Sequence, residues 1–192
     1  TSSYLLREKI RYISLFKNSG KAAGASLEHS HSQLLALPFV PPLMERELIA
    51  IRDHKICPYC AIINKEEASH RLIFENSECI AFTPYSSMGP FEVWILPRRH
   101  LGFLGDCDEK TLFALGDLLR AVLRSYGRVF GDLPFNYMFY QLQKTPEYHM
   151  HLRLLPRLSV FAGFELGTGV YINTISPEKA ASYLRGDLIS ES

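Results

Sequence analysis

Long apolar runs are missing from this chain of 192 residues. None approaches the ~18 consecutive apolar residues a membrane-spanning helix needs, and no apolar leader segment opens the sequence. A membrane partner is therefore not expected, and a cytoplasmic location is. An excess of charge of one sign is missing too. Lys and Arg number 21 against 20 Asp and Glu, a formal net charge of +1, which leaves no general electrostatic case for nucleic acid or an acidic lipid surface. Cysteine is scarce, with four residues at 57, 60, 79 and 107. In a chain without secretory signals, the C-P-Y-C at 57–60 reads first as metal or redox chemistry and only second as a structural disulfide. Cys79, inside an apolar run, reads as a small core residue. An initial methionine is absent as well, and the start at Thr1 suggests a segment upstream of it. What is present suffices for a core. Hydrophobic residues make up 47% and charged residues 21%, close to the usual globular mix.

Periodicity divides the chain into elements. Residues 3–10 read as the end of a short helix, and RYISLFKN, 11–18, as a strand rich in β-branched and aromatic residues. The small-residue loop SGKAAGAS leads into SLEHSHSQLLALP, 26–38, which reads as a buried strand, and LMERELIAIRDH, 43–54, has helical spacing. Strands are expected at 70–76, 78–85 and 91–97. A long helix follows at 108–131, with Asp108 near its start and Leu112, Leu115, Leu119, Val122 and Leu123 on its buried stripe. Two more strands are expected at 135–142 and 148–156, then a glycine-punctuated stretch, FAGFELGTGVYI. A last helix at 176–186 is capped by Ser176 with Pro177 at its first position. Strands, one long helix and strands again predict an α+β fold with a mostly antiparallel sheet. EHSHSQLLALP and YHMHLRLLP share H-x-H, apolar residues and a proline. Two copies of one unit are therefore expected, a partial one at 1–48 and a complete one at 49–192.

Two motifs carry chemistry. Structural zinc takes four ligands in a tetrahedron, and a C-x-x-C supplies two thiolates from one tight turn. His54, His70, His100, His149 and His151 are the candidates for the other two. His100 directly follows a strand and His149 opens one, so Cys57, Cys60, His100 and His149 form the favoured set; the alternative is a reduced, unliganded pair of thiols. The second motif is His29-Ser30-His31, followed by Gln33. Side chains at i and i+2 of a strand share a face, and neutral imidazole is a competent nucleophile toward phosphorus. The charge on phosphoryl oxygens then needs preorganised donors. The loop's glycines let its backbone N–H groups approach, and Ser26, Ser32 and Gln33 add side chains. Taken alone, an H-S-H is more often a metal half-site or a surface feature than a catalytic pair.

FKNSGKAAGASLEHSHSQLLALP resembles the active-site stretch of the galactose-1-phosphate uridylyltransferase family, within the histidine-triad (HIT) superfamily. Asn18, Gly20, Gly24, Ser26, His29, His31 and Gln33 stand in matching places, with serine replacing the family's proline between the histidines. CPYC…FEVWILPRRH resembles the opening of a HIT-type unit, and GFELGTGVYINTISPEKAASYLR the family's C-terminal tail. The resemblance implies two fused HIT-like domains, of which residues 1–48 would end the first and 49–192 form the second. It implies nucleotidyl transfer through a covalent nucleotidyl-histidine, between a nucleotide sugar and a sugar 1-phosphate or phosphate, in a zinc-containing homodimer. By position, His31 is the nucleophile and Gln33 holds the phosphoryl oxygens. Asn18, Gly24, Ala25 and Ser26 contact the nucleotide phosphates, and Gly163, Phe164 and Glu165 meet the sugar across the dimer interface. His29 is a zinc ligand of the first domain, with its other ligands upstream of Thr1. Histidine-triad hydrolases carry a third histidine where Gln33 sits, so an amide there implies transfer rather than hydrolysis.

Departures from the family pattern narrow the branch. Bacterial-type uridylyltransferases hold a second metal with a glutamate and three histidines; Glu47 matches the glutamate, but Tyr140 takes one histidine's place. The set Cys57, Cys60, His100 and His149 resembles instead the ADP-glucose phosphorylase-like branch, which moves an adenylyl group to phosphate. His151 then sits where a second nucleophile would, with Arg153 in place of its glutamine, so the second H-x-H is expected to be structural. The rival from another class is a non-catalytic, zinc-stabilised nucleotide-binding module.

Overall fold

The computed structural model describes residues 9–27 and 29–187, so the helix end expected at 3–10 lies almost wholly outside the described residues. Seven strands form one antiparallel sheet: β1 (Tyr12–Ser19), β2 (Gln33–Leu37), β3 (Leu72–Glu75), β4 (Cys79–Phe82), β5 (Val93–Pro97), β6 (Phe135–Tyr140) and β7 (His151–Pro156). Their order is β2-β1-β6-β7-β5-β4-β3. The helices among the described residues are α1 (Pro42–Arg52), α2 (Pro58–Glu66), α3 (Glu109–Phe130), α4 (Gly163–Thr168) and α5 (Pro177–Arg185). The expected α+β architecture is therefore present. The sheet runs unbroken across the two expected units, and the 48/49 boundary falls inside α1. No helix among the described residues is long and apolar enough to cross a membrane.

Alternation along the central strands builds two cores, because successive strand residues point to opposite faces. Cys79, Ala81, Val93, Ile95, Leu152 and Leu154 face α3 and α5, where they meet Leu115, Leu118, Val122, Tyr126 and Leu184. Ile80, Phe82 and Leu96 face the other way, against Met44 and Ile51 of α1 and Tyr59 and Ile63 of α2. Covered on both faces, β4, β5 and β7 read in the sequence as near-continuous apolar runs. His151 and Arg153 of β7 alternate with Leu152 and Leu154, and so they lie on the α1–α2 side.

Helix α3 begins as expected: the Asp108 side chain accepts the Thr111 N–H at 2.8 Å, satisfying one free amide of the first turn. It ends at Gly131, whose φ of +71° suits a residue without a Cβ. The buried stripe differs in phase from the expected one. Thr111, Leu115, Leu118, Val122, Ser125 and Tyr126 are buried, while Leu112 is 41% exposed and Leu119 and Leu123 only flank the core. Counting leucines alone missed Thr111 and Ser125, two small polar residues on the inner face. Ser125 is accommodated because its Oγ donates to the Leu184 carbonyl at 2.7 Å, and Tyr126 because its hydroxyl donates to the Phe91 carbonyl at 2.8 Å.

The stretch 26–38 also departs from expectation. Regular structure starts only at Gln33, and His29 and His31 sit in an irregular segment that precedes it. β2 is an edge strand, with Leu34 45% and Leu35 51% exposed, so its apolar run does not mark a buried strand. In the irregular segment Ser30 accepts from the Lys17 ammonium and Ser32 bonds the Tyr137 hydroxyl, so side-chain contacts rather than a ladder tie it to β1 and β6.

The observed stripe of α3 can be tested by unfolding. Leu118→Ala should destabilise the fold by about 3 kcal/mol, whereas Leu112→Ala should change it by no more than about 0.5 kcal/mol. Urea midpoints at constant m value would show the contrast.

Candidate functional site

The loop between β1 and β2 is shaped by two glycines in the left-handed region, Gly20 at φ +82° and Gly24 at φ +80°. A Cβ on Gly20 would also lie 2.9 Å from Pro134, so both conformation and space demand glycine there. The loop closes on itself: Ala23 N donates to Gly20 O at 3.1 Å, Gly24 N to Lys21 O at 3.0 Å and Ala25 N to Gly20 O at 3.2 Å. These three amides are engaged inside the turn, contrary to the expectation of a cradle of free backbone N–H groups. The donors that the turn leaves at its rim are side chains, Asn18 and Ser26 among them. Asn18 is the next-to-last residue of β1, where it pairs across the sheet with Asn136 of β6. Ser32 and Tyr137 share a hydroxyl–hydroxyl hydrogen bond of 2.8 Å, which ties the segment before β2 to β6.

His29 and His31 stay close although no strand holds them, with ring centroids 5.5 Å apart. His31 Nδ1 lies 3.0 Å from the His29 carbonyl. A carbonyl only accepts, so Nδ1 carries the proton and Nε2 keeps its lone pair. The other H-x-H repeats this bond, His151 Nδ1 donating to the His149 carbonyl at 3.1 Å. There the lone pair is taken: Arg153 Nε donates to His151 Nε2 at 2.9 Å in a fully buried setting. Burial and the neighbouring guanidinium hold the His151 imidazole well below its usual range, so it stays neutral. A buried imidazole whose only lone pair accepts from arginine cannot attack phosphorus, consistent with a structural second motif.

Arg153 reaches further. Its Nη2 donates to Glu47 Oε1 of α1 at 2.7 Å, and Glu47 Oε2 accepts from Tyr148 at 2.7 Å and Tyr59 at 3.1 Å. The guanidinium lies between Trp94 and Tyr140, 4.3 and 3.9 Å from their ring centroids. Glu47, matched by sequence to a family metal ligand, here faces an organic cation instead. The network linking 47 to 153 was not visible in the sequence.

Cys57 caps α2 and Cys60 sits in its first turn, so both thiols leave the same helix end. His100 follows β5 and His149 precedes β7. The ligand atoms of these four residues all lie within 4.8 Å of one another, and Cys60 Sγ is 3.3 Å from His100 Nδ1 and 3.4 Å from His149 Nδ1. A tetrahedron with bonds of about 2.0–2.3 Å separates its ligands by roughly 3.3–3.8 Å. His100 Nε2 donates to the Pro146 carbonyl at 2.8 Å and His149 Nε2 to the Pro97 carbonyl at 2.9 Å. Both rings are thereby fixed in the tautomer that turns an Nδ1 lone pair toward the thiols. Burial pulls His149 down to about 4, keeping it neutral, and burial beside Cys57 pushes the Cys60 thiol up to about 11. A dication would reverse the second shift by deprotonating the thiol. Two thiols and two imidazoles in this geometry fit a tetrahedral metal. His54, His70 and His151 lie outside the cluster.

Gly163, Phe164 and Glu165 open the short helix α4, where Glu165 accepts the Ala162 N–H at 2.9 Å. No hydrogen bond among the described residues joins Glu165 to Asn18, Ser26, His31 or Gln33. Sequence reasoning missed Asn136 and Tyr137; the signal was a polar residue inside the aromatic strand FNYMFY.

This fold, with one open H-x-H and a Cys2His2 cluster, defines a galactose-1-phosphate uridylyltransferase-like chain. It belongs to the family described as "Domain of unknown function (DUF4921)", which matches residues 2–190. It is 36% identical over 184 residues to ADP-glucose phosphorylase of Arabidopsis thaliana, covering 93% of this chain and 52% of that protein. The crystal structure of an Arabidopsis ADP-glucose phosphorylase with bound ADP-glucose superposes with a TM-score of 0.89 at 34% identity, over 98% of this chain and 63% of that one. Galactose-1-phosphate uridylyltransferase of Thermotoga maritima is 32% identical over 192 residues, covering 92% of this chain and 60% of that protein. The chain thus spans between half and two thirds of these relatives. A zinc-bound histidine triad protein of Mycobacterium smegmatis shares the fold alone, at 19% identity and a TM-score of 0.50 over 68% of this chain and 91% of that one.

Removing one partner of the Glu47–Arg153 pair leaves a buried charge. Arg153→Met should therefore cost about 3–5 kcal/mol. Adding Glu47→Gln should recover part of that loss, a coupling that urea unfolding of both variants would measure.

Proposed function

We propose that the chain carries the nucleotidyl-transfer segment of a uridylyltransferase-type enzyme, moving a nucleoside monophosphate between a nucleotide sugar and a hexose 1-phosphate or phosphate. The observation that carries this reading is the His31 ring, its Nδ1–H held on the His29 carbonyl at 3.0 Å and its Nε2 without a hydrogen-bond partner among the described residues. Nε2 attacks the α-phosphorus of the nucleotide sugar. The N–P bond forms as the P–O bond to the sugar 1-phosphate breaks, and the sugar 1-phosphate leaves with that electron pair. An oxygen of the incoming phosphate or hexose 1-phosphate then attacks the same phosphorus and releases His31. Gln33, Asn18 and Ser26 donate to the phosphoryl oxygens, while Gly24 and Ala25 let the loop approach them. Gln33 cannot act as a general acid or base, so the intermediate survives until its acceptor arrives.

The ADP-glucose phosphorylase relative, 36% identical, favours ADP-glucose and phosphate over UDP-glucose and galactose 1-phosphate as the substrate pair. Cys57, Cys60, His100 and His149 would hold zinc in a structural role, a reading supported by four donor atoms that lie within 4.8 Å of one another. His29 would belong to a second zinc site, in a first HIT-like domain whose last part is residues 1–48; residues 49–192 would be the second domain. The segment around α4, with Val160 88%, Leu166 76% and Ile172 58% exposed, is suited to cover by a second copy of the chain. In that homodimer Gly163, Phe164 and Glu165 would meet the sugar of the partner's substrate.

The covalent step is tested by incubating the full-length protein with adenylate-labelled ADP-glucose or uridylate-labelled UDP-glucose. Acid-labile label on His31, absent from His31→Asn, is the expected result; no label from either donor would leave the non-catalytic nucleotide-binding module as the reading. Metal analysis should find zinc in the wild type and lose about one equivalent per chain in Cys57→Ser. Undiminished zinc in that variant would remove the assignment of the second-domain site.

A further inference from the structure

Asn136 stands on β6 directly across from Asn18. Its Nδ2 donates to two oxygens, Asn18 Oδ1 at 2.8 Å and the Ala23 carbonyl at 2.8 Å. The second bond settles the first. A backbone carbonyl only accepts, so the Asn136 group that faces Ala23 has to be its NH2. The same NH2 faces Asn18, and the Asn18 atom opposite has to be an acceptor, Oδ1. Asn18 is thereby turned with its own Nδ2 away from β6 and toward the loop, 3.9 Å from where a Cβ on Gly24 would lie. A carboxamide's last torsion is broad and roughly two-fold, so without this partner both orientations are open to it. The difference matters beside a phosphate: one orientation offers an N–H donor, the other a lone pair.

We propose that Asn136 is a positioning residue for nucleotidyl transfer. It sets the Asn18 carboxamide so that Nδ2 is the donor offered to the α-phosphoryl oxygens of a nucleotide sugar. The inference rests on the function proposed above. Its reach is through Asn18 alone; Asn136 itself has no free donor left for substrate once both N–H groups are engaged.

Asn136→Asp is the sharpest variant, because a carboxylate of the same shape only accepts. Asn18 would then rotate to donate to it, aiming Oδ1 at the loop. The rate of His31 labelling from adenylate-labelled ADP-glucose should fall by about 100-fold, the scale of losing one preorganised donor. Zinc content and the urea midpoint serve as controls for folding and should stay near wild type. The decisive comparison is the same substitution placed in an Asn18→Ala background. There it should slow labelling further by no more than about twofold, as expected of an effect carried by Asn18. An undiminished loss in that background would mark packing or simple charge repulsion and overturn the proposal, as would labelling by Asn136→Asp at the wild-type rate. If the wild type takes no label from ADP-glucose or UDP-glucose, the proposed function falls, and the positioning role falls with it.

Discussion

A guanidinium and a carboxylate lie together behind β7, with only 9% of the Arg153 side chain and 17% of the Glu47 side chain exposed. Withdrawing such charges from water costs several kcal/mol per ion unless their remaining donors and lone pairs are met. Here they are met by two tyrosine hydroxyls, one imidazole nitrogen and two aromatic faces. The pair holds α1 against the sheet and fixes the His151 ring, whose Nδ1–H grips the His149 carbonyl. His149 is in turn one of the four clustered metal donors. The ion pair is thus joined through His151 to the backbone of that cluster, a link that no ligand spacing reveals.

The two H-x-H motifs divide along a single atom. Both use the same backbone bond to place the proton on Nδ1, at 3.0 Å for His31 and 3.1 Å for His151. In the first the other nitrogen has no hydrogen-bond partner among the described residues. In the second an arginine occupies it. Arginine at the glutamine position thus does two things at once: it leaves no phosphate-holding amide there, and it caps the imidazole that would attack. The second motif lies instead beside the Cys57, Cys60, His100 and His149 cluster, and Arg153 supplies the interior with its ion pair.

Much of this was legible in the residues. The strand-helix-strand order, the Ser176–Pro177 helix start and the Asp108 cap follow from local rules, and the C-x-x-C announced two neighbouring thiols, though not the helix at Pro58–Glu66 that carries them. His100 and His149 stand beside those thiols in space because a strand end and a strand start can converge on one point. Other features were misread for identifiable reasons. Four consecutive apolar residues suggested burial for β2, yet nothing in the described residues pairs with its outer edge. The phase of α3 was taken from its leucines, whereas the inner face admits Thr111 and Ser125.

What the sequence by itself determined is therefore local and chemical: which residues could bind a metal, which imidazole could attack, where chain reversals need glycine. These depend on side-chain type and on neighbours a few positions away. The tertiary structure decided that the His151 imidazole is capped by arginine, which way the Asn18 amide points and which charges neutralise each other. Residues 18 and 136, and 47 and 153, are joined only by strand register and helix packing. Hydrogen-bond partnership across a hundred residues has no periodicity to betray it, and it is that partnership which sets protonation and orientation at the site.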